Sequence, residues 1–132
     1  EKSDFFKINY QTLIKEIDKL DQEIQQVFAK GKNRTFMVFH PAWTHFAEAY
    51  GLEQISIENQ GKEPGPRALQ RIINKGKKLN IKVIFVQKQF GLSVAKKIAK
   101  MIGATVKEMD PLTDNYMDSM RNTAKAISGA IN

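Results

Sequence analysis

The chain has 132 residues, of which 42% are hydrophobic and 27% charged, and this composition is typical of one globular domain rather than a disordered or membrane-spanning chain. The absence of cysteine excludes disulfides, thiol catalysis and cysteine-ligated zinc or iron–sulfur centres. The formal net charge of +7 is unevenly distributed, since residues 1–66 carry 8 Lys and Arg against 10 Asp and Glu, while residues 67–132 carry 13 against 4.

The predicted elements begin with one long helix over residues 3–29, because apolar residues recur along this segment at steps of three and four. Beyond it, strands and helices alternate. The predicted strands cover residues 36–39, 55–57, 81–86 and 105–109, and the predicted helices cover residues 43–50, 67–79, 93–101 and 114–130. Such alternation predicts βαβ units, and therefore an α/β fold with a four-stranded, mostly parallel sheet flanked by helices.

Local signals set the predicted ends of these helices. Gly31 lies just beyond the long helix, and Gly51 closes the short helix that follows the first strand. Ser93 is predicted to cap the helix that starts there, and Gly103 is predicted to stop it. Near the start of the last helix, Asp114 is expected to act as a cap or as a favourable charge at the helix N-terminus.

Two proline-containing segments indicate a binding site. His40 ends the first predicted strand and precedes Pro41, and Asp110 ends the fourth and precedes Pro111. A following proline restricts the backbone of both residues to extended conformations, so each side chain has a fixed direction. Because ligands collect where the carboxyl ends of parallel strands meet, His40, residues 87–89 and Asp110 are predicted to face the same rim of the sheet.

The residues alone leave the chemistry of this pair open. His40 and Asp110 could form a metal site, an acid–base pair or a buried hydrogen bond. Imidazole and carboxylate suit zinc, manganese or iron, but zinc takes at least three protein ligands, so two are too few. His45 lies off the apolar face of its helix and is expected at an exposed or rim position. Glu108 alternates with Asp110 along the fourth strand and is a further candidate for this rim.

Other chemistries find little support in the sequence. There is no G-x-S-x-G nucleophile elbow and no Walker phosphate loop. The basic half could contact nucleic acid, but its lysines fall on the polar faces of short predicted helices with no aromatic residues between them, which favours solvated helix faces. A stand-alone α/β regulatory or nucleic-acid-interacting domain that uses the basic half is the alternative interpretation.

Six motifs occur in order along nearly the whole chain: residues 40–46 (His-Pro-Ala-Trp-Thr-His-Phe), 50–52 (Tyr-Gly-Leu), 63–66 (Glu-Pro-Gly-Pro), 82–86 (Lys-Val-Ile-Phe-Val) with Gln89-Phe90 shortly after, 110–112 (Asp-Pro-Leu) and 116–122 (Tyr-Met-Asp-Ser-Met-Arg-Asn). Each motif alone has low specificity, whereas the ordered set is specific. In this set the chain resembles the C-terminal lobe of the zinc/manganese solute-binding proteins that supply ABC importers.

The resemblance implies a domain organisation and a ligand set. Residues 1–31 would be an interlobe helix and residues 32–132 a C-terminal α/β metal-binding lobe, with the N-terminal lobe absent from the chain. His40 and Asp110 would be metal ligands, and the remaining ligands would come from the missing lobe, so that the site is incomplete here. Zinc is the favoured metal and manganese the alternative. Gln87 and Lys88 depart from the family's Glu-Pro, and a cation at a metal site disfavours metal binding.

The resemblance also implies a function. The protein would capture a divalent transition metal outside the cytoplasm for delivery to an ABC permease, as a periplasmic protein or a cell-surface lipoprotein. It would be a binding module and not an enzyme, with no catalytic residue, nucleic-acid partner or membrane span. The long helix would rest against both lobes in the intact family, so the isolated chain is expected to expose Phe5, Phe6 and Tyr10 and to self-associate through residues 3–14.

Overall fold

The computed structural model describes residues 2–88, 91–110 and 115–131. Within these ranges the elements, in chain order, are α1 (Lys2–Ala29), β1 (Thr35–Val38), α2 (Thr44–Ala49), β2 (Glu53–Ser56), α3 (Pro66–Lys78), β3 (Val83–Val86), α4 (Leu92–Ile102), β4 (Thr105–Glu108) and α5 (Tyr116–Ile131). The predicted order of helices and strands is confirmed, and each boundary lies within two residues of the predicted one. None of the helices in the described part of the chain is long and apolar enough to cross a membrane.

The four strands form one parallel sheet in the order β2-β1-β3-β4. The chain therefore runs outward from β1 to β2, crosses back to β3 and continues outward to β4. The strand order reverses between β1 and β3, and in open parallel sheets the crevice beyond the carboxyl ends of such a strand pair is the usual place for a ligand. The predicted α/β fold with a parallel sheet is confirmed.

Each face of the sheet is covered by helices, because successive strand residues point to opposite faces. Phe36, Val38 and Phe85 pack with residues of α1, α2 and α5 on one face. Met37 and Ile84 pack with residues of α3 and α4 on the other. Both strands are buried on both faces, which is why their sequences are continuous apolar runs rather than alternating ones.

The start of α4 differs from the prediction. Ser93 was expected to cap this helix, but α4 begins at Leu92 after Gly91, which has a φ of 69°, and no side chain caps it. The prediction for Ser93 is wrong because a left-handed glycine turn, and not a side-chain hydrogen bond, starts the helix. At the other end Gly103 has a φ of 76° and terminates α4 as predicted.

The last helix is capped by a residue that the sequence did not single out. The side-chain oxygen of Asn115 accepts a hydrogen bond from the backbone N–H of Asp118 (3.2 Å), as an N-terminal cap does. Asp114, the predicted cap, lies outside the described residues, as do Gln89, Phe90, Pro111 and Leu112 of the sequence motifs.

Only the C-terminal part of α1 is packed against the rest of the domain. Leu20, Ile24 and Phe28 are buried. Two polar contacts add to this packing. Arg121 Nε donates to Glu23 Oε2 (3.0 Å), and Tyr50 Oη donates to Asp21 Oδ1 (2.9 Å). Burial, followed by this hydrogen bond, raises the pKa of Tyr50 above its usual range, so the phenol stays protonated.

The N-terminal part of α1 has its apolar stripe in solvent. Its exposed large hydrophobic residues are Phe5, Phe6, Ile8, Tyr10, Leu13, Ile14 and Ile17. Phe6 is 67% exposed and Tyr10 64% exposed. The two residues lie one helical turn apart, so their side chains are neighbours on one face of the helix. The predicted exposure of this segment is confirmed, and a contiguous apolar surface of this kind favours association.

The junction of Phe39 and Gly91 generates a stability prediction. A Cβ built at Gly91 would lie 2.2 Å from Phe39 Cδ1, and the positive φ of Gly91 is itself unfavourable for a side chain. We expect Gly91→Ala to lower the free energy of unfolding by roughly 2–5 kcal/mol, through overpacking and backbone strain. Denaturant titration measures this change.

Gly129→Ala is the control, since a Cβ at position 129 meets nothing within 4 Å. This substitution should leave the free energy of unfolding unchanged or raise it slightly. Equal unfolding midpoints for the two variants would contradict the prediction.

The exposed stripe of α1 generates a prediction about self-association. The 132-residue chain should form dimers or larger species as its concentration rises, through residues 3–14. A Phe6→Ser/Tyr10→Ser double variant should lower the mass seen by light scattering, because it removes the apolar surface. Lys7→Ser/Gln11→Ser is the matched control on a neighbouring exposed row of the same helix. A strictly monomeric chain at high concentration would refute the prediction.

Candidate metal-binding site

His40 lies two residues beyond the end of the central strand β1. The ladder between β1 and β3 continues past the end of the strand, since Phe39 N–H donates to Phe85 O (2.9 Å). The chain then turns, and Ala42 N–H donates to the carbonyl of His40 (2.8 Å). The imidazole is therefore positioned by backbone that the sheet holds on one side and a tight turn holds on the other, while 44% of the side chain remains exposed.

The neighbouring strand brings a carboxylate to this histidine. Val38 and Ser56 are partners in the register of β1 and β2. The ladder continues from there, because Ile57 N–H donates to Val38 O (2.9 Å) and Glu58 N–H donates to Phe39 O (3.0 Å). Glu58 and His40 thus stand two residues beyond paired positions, and the Glu58 carboxylate contacts Nδ1 of His40.

Sequence reasoning missed Glu58. The rule that selected His40 and Asp110, a polar side chain just beyond a strand, also selects Glu58, which follows the run Ile55-Ser56-Ile57. The signal was present but weak, because carboxylates are common after strands. The pairing of β1 with β2, rather than composition, makes Glu58 a neighbour of His40.

Asp110 lies at the same edge of the sheet, two residues beyond β4. Val86 and Glu108 are partners in the register of β3 and β4, and Met109 N–H donates to Val86 O (2.8 Å). Since β3 separates β4 from β1, the ends of these strands are about 10 Å apart, two strand spacings. Asp110 is exposed. Both ligand candidates therefore lie at the one edge where the sequence predicted them.

The other residues considered from sequence have simpler environments. Gln87 is half-buried and Lys88 exposed beyond β3. His45 is exposed on α2, as predicted. Glu108 is the last residue of β4 and is exposed.

The segment after His40 is anchored through Gln54. The side-chain oxygen of Gln54 accepts a hydrogen bond from Trp43 N–H (3.0 Å), and its amide nitrogen donates to Thr44 Oγ1 (3.0 Å). One side chain of β2 thus satisfies donors and acceptors at the start of α2, where a helix has unpaired N–H groups. The turn between β1 and α2 is fixed to the sheet at both ends.

The arrangement can supply part of a metal site. Among residues 2–88, 91–110 and 115–131, no group of three or more His, Asp or Glu side chains is placed to hold a metal ion together. A zinc ion needs at least three protein ligands, so His40 and Asp110 require further ligands from elsewhere. An imidazole and a carboxylate on a rigid sheet edge suit a borderline-soft divalent cation.

Comparison with known proteins agrees with this chemistry. The sequence profile of the family described as zinc-uptake complex component A, periplasmic (ZnuA), matches residues 1–130. The zinc-binding protein AdcA of Streptococcus pyogenes is 32% identical over 114 residues, which are 85% of this chain and 22% of AdcA. The zinc-binding lipoprotein AdcA of Streptococcus pneumoniae is 24% identical over 139 residues, covering 96% of this chain and 28% of that protein.

A solved structure shares the fold over nearly the whole chain. The crystal structure of ZnuA superposes with a TM-score of 0.91 at 34% sequence identity, covering 96% of this chain and 48% of the ZnuA chain. The chain thus spans about a quarter of the AdcA sequences and about half of the ZnuA structure. The profile match over almost every residue, supported by this structural likeness, shows that the chain belongs to the ZnuA family of periplasmic zinc-uptake components.

Proposed function

We propose that the chain is the C-terminal metal-binding lobe of an extracytoplasmic solute-binding protein, which captures zinc and delivers it to an ABC permease. The observation that supports this most directly is the placement of His40 and Asp110 at one carboxyl edge of a parallel sheet, in a chain of the ZnuA family. These residues would be two of the zinc ligands. The role is binding and release of a cargo ion, and no catalytic step is part of it.

The domain organisation follows the same proposal. Residues 1–31 are the interlobe helix, and residues 32–132 are the lobe that carries His40 and Asp110. An N-terminal lobe, outside the 132 residues, supplies the remaining ligands and covers the exposed stripe of α1. The match to only 48% of the ZnuA chain and the exposed apolar residues of α1 both support this division.

The location proposed is the periplasm or the outer cell surface. The family's description as periplasmic supports the first, and the name of the pneumococcal relative, a zinc-binding lipoprotein, supports the second. A nucleic-acid-binding role for the basic half has less support, because eight of its 13 Lys and Arg residues lie exposed on the helices α3 and α4, which carry no aromatic residue for stacking on bases.

The ligand assignment generates the first functional prediction. In the full-length protein, His40→Ala and Asp110→Ala should each weaken zinc binding by at least about 100-fold, since even the loss of an outer-shell partner costs about 10–100-fold. Titration calorimetry measures the affinity. His45→Ala is the matched control, because it removes an exposed imidazole five residues away and should leave the affinity unchanged.

The incomplete ligand set generates a second prediction, for the 132-residue chain itself. Water must occupy the positions that the other lobe would fill, so zinc should bind with micromolar or weaker affinity. Calorimetry on this chain checks the value. Nanomolar binding that is lost in His40→Ala would mean that the ligand set is already complete, and the proposed division into lobes would then be wrong.

The identity of the metal generates a third prediction. Zinc favours nitrogen ligands, and additional carboxylates favour manganese. In the full-length protein, His40→Glu should therefore shift preference from zinc towards manganese, while Asp110→Ala should weaken both. Metal content after dialysis against equal concentrations of the two ions measures preference. Retention of manganese by the unmutated protein would overturn the zinc assignment and leave the site itself in place.

A further inference from the structure

Glu58 is a buried carboxylate that the proposed ligand set does not use. Across the described ranges 2–88, 91–110 and 115–131 it is the one charged residue that is buried, with 7% of its surface exposed. Removing a carboxylate from water is unfavourable unless hydrogen bonds or an opposite charge compensate for the lost hydration. For Glu58, the contact between its carboxylate and Nδ1 of His40 compensates for part of this lost hydration.

The backbone around Glu58 is fixed on the sheet rather than on a mobile loop. Its N–H donates to Phe39 O (3.0 Å), and its carbonyl accepts a hydrogen bond from Ser56 Oγ (3.1 Å). The carboxylate therefore approaches His40 from a neighbouring, hydrogen-bonded strand. Its side chain is 6% exposed while that of His40 is 44% exposed, so the carboxylate lies on the inner side of the imidazole.

This contact determines which ring nitrogen carries the proton. A carboxylate accepts hydrogen bonds and does not donate them when ionised, so Nδ1 of the neutral imidazole must carry the hydrogen. The lone pair is then on Nε2, the nitrogen on the other side of the ring. Histidines that bind metals commonly donate their second ring N–H to a carboxylate in this way, which fixes both the tautomer and the orientation of the ring.

We propose that Glu58 is the positioning residue for His40, holding its imidazole as the Nδ1–H tautomer so that Nε2 binds zinc. This inference rests on the proposed function, in which His40 is a zinc ligand. Glu58 acts through the imidazole and does not itself coordinate the ion. Its negative charge behind the ring also makes the imidazole a stronger donor to the metal.

Two substitutions separate positioning from charge. Glu58→Gln keeps a side-chain oxygen that can accept the Nδ1 hydrogen but removes the negative charge. Glu58→Leu has a comparable size and suits a buried position, but it has no acceptor. Glu53→Gln, at the start of β2, is the control, because Glu53 is an exposed glutamate whose Oε1 lies 3.6 Å from Lys75 Nζ and is remote from the imidazole.

The first readout needs no metal. The chain has two histidines, so a His45→Gln background leaves His40 as the single imidazole. Long-range ¹H–¹⁵N NMR of the neutral ring should show Nδ1–H with Glu58 present, retention of this tautomer in Glu58→Gln, and a shift towards Nε2–H in Glu58→Leu. The Glu53→Gln control should match the parent chain, and a native backbone amide spectrum for each variant shows that it is folded.

The second readout is zinc affinity in the full-length protein, measured by calorimetry. Glu58→Leu should weaken binding about 10–100-fold, and Glu58→Gln should weaken it less. An Nδ1–H tautomer that persists in Glu58→Leu, or equal losses in the Gln and Leu variants, would overturn the positioning role; equal losses would indicate direct coordination or a pure charge effect. If His40→Ala leaves zinc affinity unchanged, the proposed function fails, whatever the tautomer result.

Discussion

The parallel ladder on both sides of β1 is the constraint on which the candidate site depends. This strand lies between β2 and β3, and its residues 36–38 and the following Phe39 are all at most 3% exposed. Because both of its edges are hydrogen-bonded and both of its faces are covered, β1 cannot shift by one residue without moving every one of its core side chains into the opposite layer, where the packing does not fit them. That fixed register sets the position of His40, two residues beyond the strand. The pairing of β2 with β1 sets the position of Glu58 along the strand direction, and the pairing through β3 and β4 sets that of Asp110.

The site edge is also tied to the helical layer beneath it. Phe39, the residue before His40, fills the space where a side chain at position 91 would stand. A glycine with positive φ at the start of α4 is thus a requirement of the packing at the end of β1, and not only of the helix. Gln54 makes a comparable link on the other side, between β2 and the start of α2. His40 therefore projects from backbone that is fixed by packing on one side and by hydrogen bonds on the other, as a preorganised binding site requires.

Charge is distributed over the fold in a way that the two halves of the sequence only suggest. Helices α3 and α4 together carry eight Lys and Arg and no Asp or Glu, whereas carboxylates stand at the edge of the sheet at Glu58, Glu108 and Asp110. One of these cations, Lys75, pairs with Glu53 on the surface, where such contacts contribute little to stability. Most of the basic charge of the second half is therefore on the outer helices, while the strand ends carry these three carboxylates together with Lys88 beyond β3.

The sequence by itself determined the fold class, the order of the elements, the amphipathic helix α1 and the placement of His40 and Asp110 at one edge of the sheet. These follow from local regularities: a period of 3.6 residues in α1, continuous apolar runs in the strands, and the rule that parallel strands end on the same side. Only the tertiary structure decided that β2 pairs with β1, that Glu58 touches His40 across 18 residues of sequence, and that Gly91 rather than Ser93 starts α4. The physical reason is that each of these depends on contacts between segments distant in the chain, such as the Phe39 ring against Gly91, and such contacts leave no periodic trace in either segment alone.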